Sequence, residues 1–249
     1  MQEHSILMTT EMVKAILEGR KTQTRRVIIP QPSCDCSSPN WQGQIIDWKG
    51  YKHEGKQGWF CYTCGSGLRH IDEYSAHGII CPYGQVGDRL WVRERFGLAW
   101  MSPPSAANCH MGDADPLYPY KDKIPKQRED NLDVCYYADD TEPDGQGYWP
   151  SIFMPRWASR IDRDITGLRV ERVQDISEED AMAEGCQLIA RTSQPFTLKP
   201  TPHYTAPERP FTYRDHFIGL WDFINEKRGY SFESNPLVWV PSWPKYELS

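Results

Sequence analysis

Apolar residues near the start of the chain recur at the spacing of one helix face. Met12, Ile16 and Leu17 form an apolar stripe at helical spacing. Either of two adjacent threonines upstream can cap this helix, and Gly19 can take the left-handed conformation that ends it. The pattern therefore predicts an amphipathic N-terminal helix that ends at Gly19.

Two further helical patterns lie in the C-terminal half. The first lies within 175–185, where Ser177 can cap the helix and the acidic residues that follow suit the positive end of its first turn. The second covers 211–228, places four apolar residues on one face and ends at Gly229. These four residues are Phe217, Leu220, Trp221 and Ile224.

Between the helices the pattern predicts many short strands. Residues 89–96 alternate apolar and charged side chains, as a half-buried strand does. Further strands are predicted at 5–8, 133–138 and 237–240, and in two pieces over 161–173 with a bend at Gly167. Long connections are expected at 34–80, which is rich in Cys, at 101–131 and at 192–210, which is rich in Pro. Many short strands with few helices predict one α+β domain over 1–249, with helices packed on a small β-barrel.

Composition narrows the class of protein. The chain has 249 residues, of which 39% are hydrophobic, and a formal net charge of −6. This acidic balance argues against nonspecific binding of duplex nucleic acid, but a local basic pocket could still bind a nucleoside or a short single strand. No apolar run approaches the ~20 residues of a membrane span, and the N-terminus lacks a secretory pattern. We therefore expect a cytoplasmic protein with no membrane partner.

Four cations are clustered directly after the first predicted helix, in the stretch Gly-Arg-Lys-Thr-Gln-Thr-Arg-Arg over 19–26. Cations and hydroxyls beside a glycine turn suit an anionic or polar ligand. The alternative is that the arginines are solvated charges at the negative end of a helix. The candidate ligand-binding arginines of this cluster are Arg20, Arg25 and Arg26.

The same stretch, G-R-K-T-x-T-R, resembles the signature of the ASCH family, small β-barrel domains of the PUA-like class. It is particularly similar to bacterial amidohydrolases that remove the acetyl group from N4-acetylcytidine. The chain also resembles an ASCH subgroup that is common in bacteriophages and prophages, over about half of its length. The matching stretches are 6–27, parts of 81–94, 150–185 and the tryptophan-rich C-terminus.

The resemblance implies a PUA-like barrel, elaborated by insertions, with three catalytic residues. Lys21 and Thr24 match the lysine and threonine of the signature, and Glu184 matches a glutamate on a later helix. Glu184 also stands out by itself, because the helix dipole disfavours an acid in the last turn. Its alternative role is a solvated charge at the helix end. Since Lys21 and Thr24 are three residues apart, they can share a pocket only if the chain bends between them.

Removing an acyl group from an exocyclic amine needs a nucleophile, a proton acceptor and stabilisation of an oxyanion. Lys21 can be the base if burial and neighbouring cations lower its pKa. Thr24 can be the nucleophile or can orient a water, and Glu184 can hold the lysine, shuttle the proton or bond the nucleobase. We expect Lys21→Ala to abolish hydrolysis with little loss of stability, as for a pocket residue outside the core.

Arg156, Trp157 and Arg160 lie in one short stretch. This composition suits a wall that stacks on a base and touches phosphate, and it equally suits a structural corner. Arg93 or Glu94 can also point into the pocket. Other aromatic residues are candidates for stacking, with core packing as the alternative: Trp91, Tyr136, Tyr137 and Trp149.

Cysteines form a further pattern. Cys34-x-Cys36 is followed by Cys61-x-x-Cys64, and two close pairs separated by a loop are typical of a zinc knuckle. We predict one structural zinc at these four cysteines, with Cys81 or a nearby histidine as a possible replacement ligand. Free thiols and disulfides are the alternatives. The remaining cysteines are expected to be ordinary buried or loop residues.

The function expected from the sequence is binding of a modified nucleoside or of single-stranded RNA, with hydrolysis of the amide of an N4-acylated cytosine. This chemistry requires no cofactor, and the predicted zinc is structural. Two alternatives stay open: a phage accessory protein that binds RNA or DNA without catalysis, and a ribonuclease.

Overall fold

A computed structural model describes residues 1–29, 31, 41–45, 57–61, 79–100, 124–130, 132–139, 148–188 and 211–246, with the backbone alone at 41–45, 57–61, 79–80 and 99–100. Over these residues the protein has a mixed α+β fold, as the sequence predicts. The helices are α1 (Thr10–Leu17), α2 (Glu178–Ala183) and α3 (Tyr213–Asn225). No helix among these residues is long and apolar enough to cross a membrane.

The described strands pair into small sheets. They are β1 (Glu3–Leu7), β2 (Arg26–Val27), β3 (Trp41–Ile45), β4 (Gln57–Cys61), β5 (Ile79–Ile80), β6 (Arg89–Arg93), β7 (Phe96–Trp100), β8 (Leu132–Tyr136), β9 (Asp162–Asp164), β10 (Gly167–Arg172) and β11 (Leu237–Ser242). Three sheets have three strands each, in the orders β1-β6-β9, β10-β11-β2 and β3-β4-β5, and β7 pairs with β8. Only β1 and β6 pair in parallel, whereas the other described pairs are antiparallel.

Helix α1 forms as its apolar pattern predicts. Thr9 is the N-cap, and its hydroxyl accepts a hydrogen bond of 3.3 Å from the amide of Met12. Val13 and Ile16 are fully buried, and burial of each such side chain contributes about 1.5–3 kcal/mol. Gly19 follows the helix with a φ of +70°, which a side chain would strain. The turn at Gly19 directs the chain straight into the cation cluster.

Strand β11 lies at the centre of its sheet and organises the region of that cluster. Its residues from Leu237 to Pro241 are buried, because β10 and β2 flank it and both helices of the C-terminal half pack nearby. Residues Arg26 and Val27 of β2 pair with Trp239 and Val238. The end of the cation cluster is therefore fixed to a buried strand.

Helices α2 and α3 pack together over the same sheet. Thr212 caps α3, and the Asp215 carboxylate accepts a hydrogen bond from the Thr212 amide in return. The helices contribute to one apolar cluster with β11: Val173, Ile176, Ala181, Cys186, Phe217, Trp221, Val238 and Val240. This cluster holds the end of α2, where Glu184 lies, close to the cation cluster.

The structure differs from the sequence prediction in two places. The alternating segment 89–96 is two strands rather than one, because the chain leaves the β1-β6-β9 sheet after Arg93 and pairs with β8 from Phe96 onward. Strands β3 to β5 fall within 34–80, where the sequence predicts no regular structure. The connection at 192–210 and most of 101–131 lie outside the described residues.

Candidate functional site

A cleft of about 590 Å³ opens where the end of β1, the start of α1, the cation cluster and α3 meet. Its polar lining includes Lys21, Thr24, Arg25, Arg26 and Glu184. The structure thus brings together the three residues predicted to be catalytic. Their chemical roles stay predictions.

The backbone explains how residues of one short segment reach the same cleft. The Lys21 amide donates to the carbonyl of Ala15 at the end of α1, at 2.9 Å. The next amide, of Thr22, donates to the carbonyl of Ala183 at 2.8 Å, and the Thr24 amide donates to that of Pro241 in β11 at 3.1 Å. The segment therefore changes partner from helix to strand over three residues instead of running as one extended strand.

Lys21 and Glu184 form a buried ion pair. The Lys21 Nζ donates to Glu184 Oε2 at 2.9 Å and to the Glu184 carbonyl at 2.8 Å. Lys21 is 1% exposed and Glu184 is 7% exposed. Burial lowers the pKa of Lys21, and the carboxylate of Glu184 opposes that effect. The expectation that Lys21 lies outside the core is wrong, because this lysine is among the most deeply buried side chains described.

Gly185 allows the close approach that this pair requires. It has a φ of +90°, and a Cβ there would lie 2.8 Å from the Cβ of Ala15 and 3.2 Å from the Cβ of Lys21. A side chain at Gly185 would therefore collide with α1 and strain the backbone. Glycine at this position lets the end of α2 lie directly against Lys21.

Arg25 holds the other oxygen of Glu184. Its side chain is buried, and its Nη1 donates to Glu184 Oε1 at 3.1 Å. Its Nη2 donates to Asp180 Oδ2 at 2.8 Å and to the carboxylate of Glu171. The guanidinium also lies 5.7 Å from the ring centroid of Phe217. Although Arg25 lines the cleft, both its terminal nitrogens are thus occupied by carboxylates, and each oxygen of Glu184 is fixed by a different cation.

Thr24 lines the cleft and has a buried hydroxyl without a hydrogen-bond partner in the described part of the chain. The residue is 1% exposed, and its Oγ1 has no hydrogen-bond partner among the described residues. Leaving a buried hydroxyl unpaired costs about 1–3 kcal/mol. Because Thr24 lines the cleft, this hydroxyl is a candidate contact for a ligand whose binding shifts the groups that cover it.

Three arginines of the lining lack an acidic partner. Arg26, Arg93 and Arg228 all face the cleft, and no carboxylate of the described residues lies within 4.0 Å of any of them. Arg93 was one of two alternatives for a pocket residue in this strand. The sequence gives no signal that Arg228 belongs to a site, because a cation in the last turn of a helix is favourable without any ligand.

The aromatic wall of the cleft differs from the predicted one. Tyr83, Phe217 and Trp221 line it, whereas Trp91, Tyr136, Tyr137, Trp149 and Trp157 do not. Phe217 and Trp221 stack with centroids 5.8 Å apart on the apolar face of α3. Helical periodicity shows that these two rings face inward, but it cannot distinguish a core contact from a cleft wall.

The other predicted binding residues lie away from the cleft. Arg20 donates to the Glu18 carboxylate at 2.6 Å and to the carbonyl of Gly185 at 2.7 Å. The Trp157 indole donates to the Pro125 carbonyl at 3.2 Å. Arg156 and Arg160 are in ion pairs with the carboxylates of Glu3, Asp162, Glu94 and Asp139. The 156–160 stretch therefore has the geometry of the structural corner, which was the alternative interpretation.

Most of the predicted zinc ligands cannot be placed. Cys34, Cys36 and Cys64 lie outside the described residues, and only the backbone of Cys61 is described, in β4. Elsewhere in the described chain no group of three or more His, Cys, Asp or Glu residues is arranged to hold a metal. Cys81 is buried, and burial raises the pKa of its thiol to about 12. The structural zinc stays a prediction.

No protein-family model, curated protein or solved structure matches this chain. Membership of the ASCH family is therefore still a prediction that rests on the signature over 19–26 and the other matching stretches. The chemistry of the cleft has to be judged from its own side chains.

Proposed function

We propose that this protein binds a modified nucleoside, free or within single-stranded RNA, and hydrolyses the amide of an N4-acylated cytosine. The observation that carries this proposal is the buried Lys21–Glu184 pair in one cleft with the unpartnered hydroxyl of Thr24. The resemblance to ASCH amidohydrolases supports the same assignment, and a PUA-like barrel is the fold that we propose for the whole domain.

The three side chains can divide the reaction between them. Neutral Lys21 accepts a proton from the Thr24 hydroxyl, or from a water that Thr24 orients, as the oxygen attacks the acyl carbon. Collapse of the tetrahedral intermediate breaks the C–N bond, and the proton passes to the departing exocyclic amine. Glu184 holds Lys21 in place, and Arg25 holds Glu184. If Thr24 attacks, water then hydrolyses the ester that it forms with the acyl group; by either route the products are a carboxylic acid and the cytosine nucleoside with its free exocyclic amine.

The size and wall of the cleft agree with a nucleoside ligand. Its volume of about 590 Å³ lies within the range of roughly 300–1,000 Å³ that small-molecule sites occupy. Phe217 and Trp221 are buried and form an apolar floor of the cleft, and the half-buried ring of Tyr83 is the aromatic group of the lining that a base can contact. The unpaired Thr24 hydroxyl marks the polar end of the same cleft.

Thr24→Val tests the proposal most directly. Valine keeps the shape of threonine but removes the hydroxyl, so we expect turnover of N4-acetylcytidine to fall by about 100-fold or more. Because this hydroxyl has no partner, stability should not fall and should rise by up to about 1 kcal/mol. Turnover is measured on a panel of N4-acylated cytidines and short RNAs, and stability by urea unfolding.

Thr22→Val is the matched control, because Thr22 is two residues away and does not line the cleft. It should leave turnover unchanged. Equal turnover in Thr24→Val and the wild-type protein would refute the assigned role of Thr24. If no panel member is hydrolysed but one is bound, the binding-module alternative replaces the enzyme, and cleavage of the RNAs would favour the ribonuclease.

The dependence of turnover on pH provides a second test. Burial places the pKa of Lys21 below that of a lysine in water. Because only the neutral amine can accept the proton, kcat/KM should be lost as the pH falls through this lowered pKa and should level off above it. We expect the rising limb at a lower pH than an exposed lysine would give. A profile that stays flat over the whole stable pH range would contradict Lys21 as the base.

A further inference from the structure

We infer that the cleft also contains a phosphate site formed by Arg26, Arg93 and Arg228, so that its preferred ligand is a phosphorylated nucleoside rather than a free one. The identity of the base rests on the proposed function, but the anion site rests on charges alone. The phosphate can belong to a mononucleotide or to an RNA strand, which share this chemistry.

The first argument is the charge balance of the cleft. Among the described residues, the lining has one carboxylate, that of Glu184, and it is already bonded to Lys21 and Arg25. The three arginines add further positive charge, and no described carboxylate forms a salt bridge with any of them. In an acidic protein with a net charge of −6, this positive charge inside one concave site attracts an anion.

Two of these arginines, Arg26 and Arg228, are close enough for their charges to repel each other. The pKa of Arg26 is lowered, mainly by burial, and the charge of Arg228 contributes in the same direction. Like charges held together in a partly buried site are unfavourable, and a bound anion removes that repulsion. Repulsion between these cations therefore favours binding of a negatively charged group.

The second argument is that two guanidinium groups are oriented but not saturated. Arg26 donates to the Leu7 carbonyl at 2.6 Å. Arg93 donates to the carbonyl of Ile152 and lies 5.5 Å from the ring centroid of Trp91, while its buried Nε has no partner among the described residues. Each therefore keeps unused N–H donors in a fixed fork. Several arginine forks match the multiple oxygens of a phosphate better than the two oxygens of a carboxylate.

The arrangement along the helix places this site beside the aromatic wall. Trp221 lies in α3, and Arg228 follows seven residues later in the turn that extends the helix. Seven helical residues span roughly 10 Å, so Trp221 and Arg228 lie about two turns apart along the helix, and both line the cleft. A nucleotide has the same order of parts, with a flat base at one end and a phosphate at the other.

Binding of ligands that carry no acyl group tests this inference independently of hydrolysis. Calorimetry compares cytidine, cytidine 5′-monophosphate, cytidine 3′-monophosphate and a cytidine trinucleotide. We expect at least one phosphorylated ligand to bind about tenfold more tightly than cytidine. Arg228→Gln and Arg93→Gln should each remove most of that gain, measured as the ratio of the affinities for the phosphorylated ligand and for cytidine in the same variant. Arg228 is exposed, so its replacement should not affect folding.

Arg20→Gln is the matched control, because this arginine belongs to the same cation cluster but lies outside the cleft. It should preserve the preference for phosphate. The trinucleotide distinguishes the two sources: a strand that contacts several phosphates should show a log–log salt slope of roughly −0.7 per contact, and a mononucleotide a slope for one contact.

Equal affinities for cytidine and all phosphorylated ligands would overturn the inference, and so would a gain that survives both Arg228→Gln and Arg93→Gln. These results differ from failure of the proposed function. A protein that binds the nucleotides through these arginines but hydrolyses no amide keeps the phosphate site and loses the enzymatic assignment. If the protein hydrolyses free N4-acetylcytidine and its phosphorylated form with equal kcat/KM, the enzymatic assignment stands and the phosphate site does not.

Discussion

Glu184→Ala should lower the free energy of unfolding by about 3–5 kcal/mol, because it removes the shared partner of two buried cations. Lys21 would lose its carboxylate, and Arg25 would lose one of the three that it contacts. An unpaired charge in a site that is 1% exposed cannot be compensated by water. The change is measured by urea unfolding at neutral pH, with the midpoint and slope fitted separately.

Glu179→Ala provides the control. Glu179 lies on the same helix α2 but is exposed, so its removal should change stability by no more than about 0.5 kcal/mol. A loss below about 1 kcal/mol in Glu184→Ala would mean that the buried pair does not form in solution. The positioning of Lys21 would then need another explanation.

Lys21→Met should reduce turnover of N4-acetylcytidine by about 10²–10⁴-fold, because it removes the proposed proton acceptor. Methionine fills most of the volume of the buried stem, and Glu184 keeps Arg25 as a partner. We therefore expect a smaller loss of stability than in Glu184→Ala, about 1–3 kcal/mol. Single-turnover kinetics on folded protein separate the chemical step from binding.

Lys14→Met, on helix α1 and outside the cleft, should leave turnover unaffected. If Lys21→Met folds and still hydrolyses the substrate, the lysine is a scaffold residue and the signature gives no support for catalysis. In that case the cleft would be better explained as a nucleotide-binding site.

Local patterns predicted the helices well because the interactions that start and end them are local. Ser177 caps α2 through the amide of Asp180, three residues away, and the acids of the first turn follow from that cap. The position of Glu184 could also be predicted, since an acid at the negative end of a helix needs a partner from elsewhere. The partners themselves, Lys21 and Arg25, could not be read from helix α2.

The burial of Lys21 could not be predicted from the sequence for the same reason. A lysine between two other cations is ordinarily exposed, and only a carboxylate from a distant segment compensates the free-energy cost of burying its charge. Arg156 and Arg160 show the opposite error. Their composition suits a binding surface, yet distant carboxylates from Glu3 and Glu94 use their donors in ion pairs. In both cases, ion pairs between residues distant in the sequence decide whether a cation is buried in the core, held in a salt bridge or available to a ligand.

The contact between Lys21 and Glu184 joins positions 163 residues apart in the sequence, and so closes a very long loop. The entropy lost on closing a flexible loop grows only with the logarithm of its length, by about 0.6 kcal/mol for each doubling. Deleting the whole 34–80 segment would change that cost by only about 0.3 kcal/mol. The chain between the two halves of the site can therefore gain or lose whole segments with little thermodynamic penalty for assembling the Lys21–Glu184 pair.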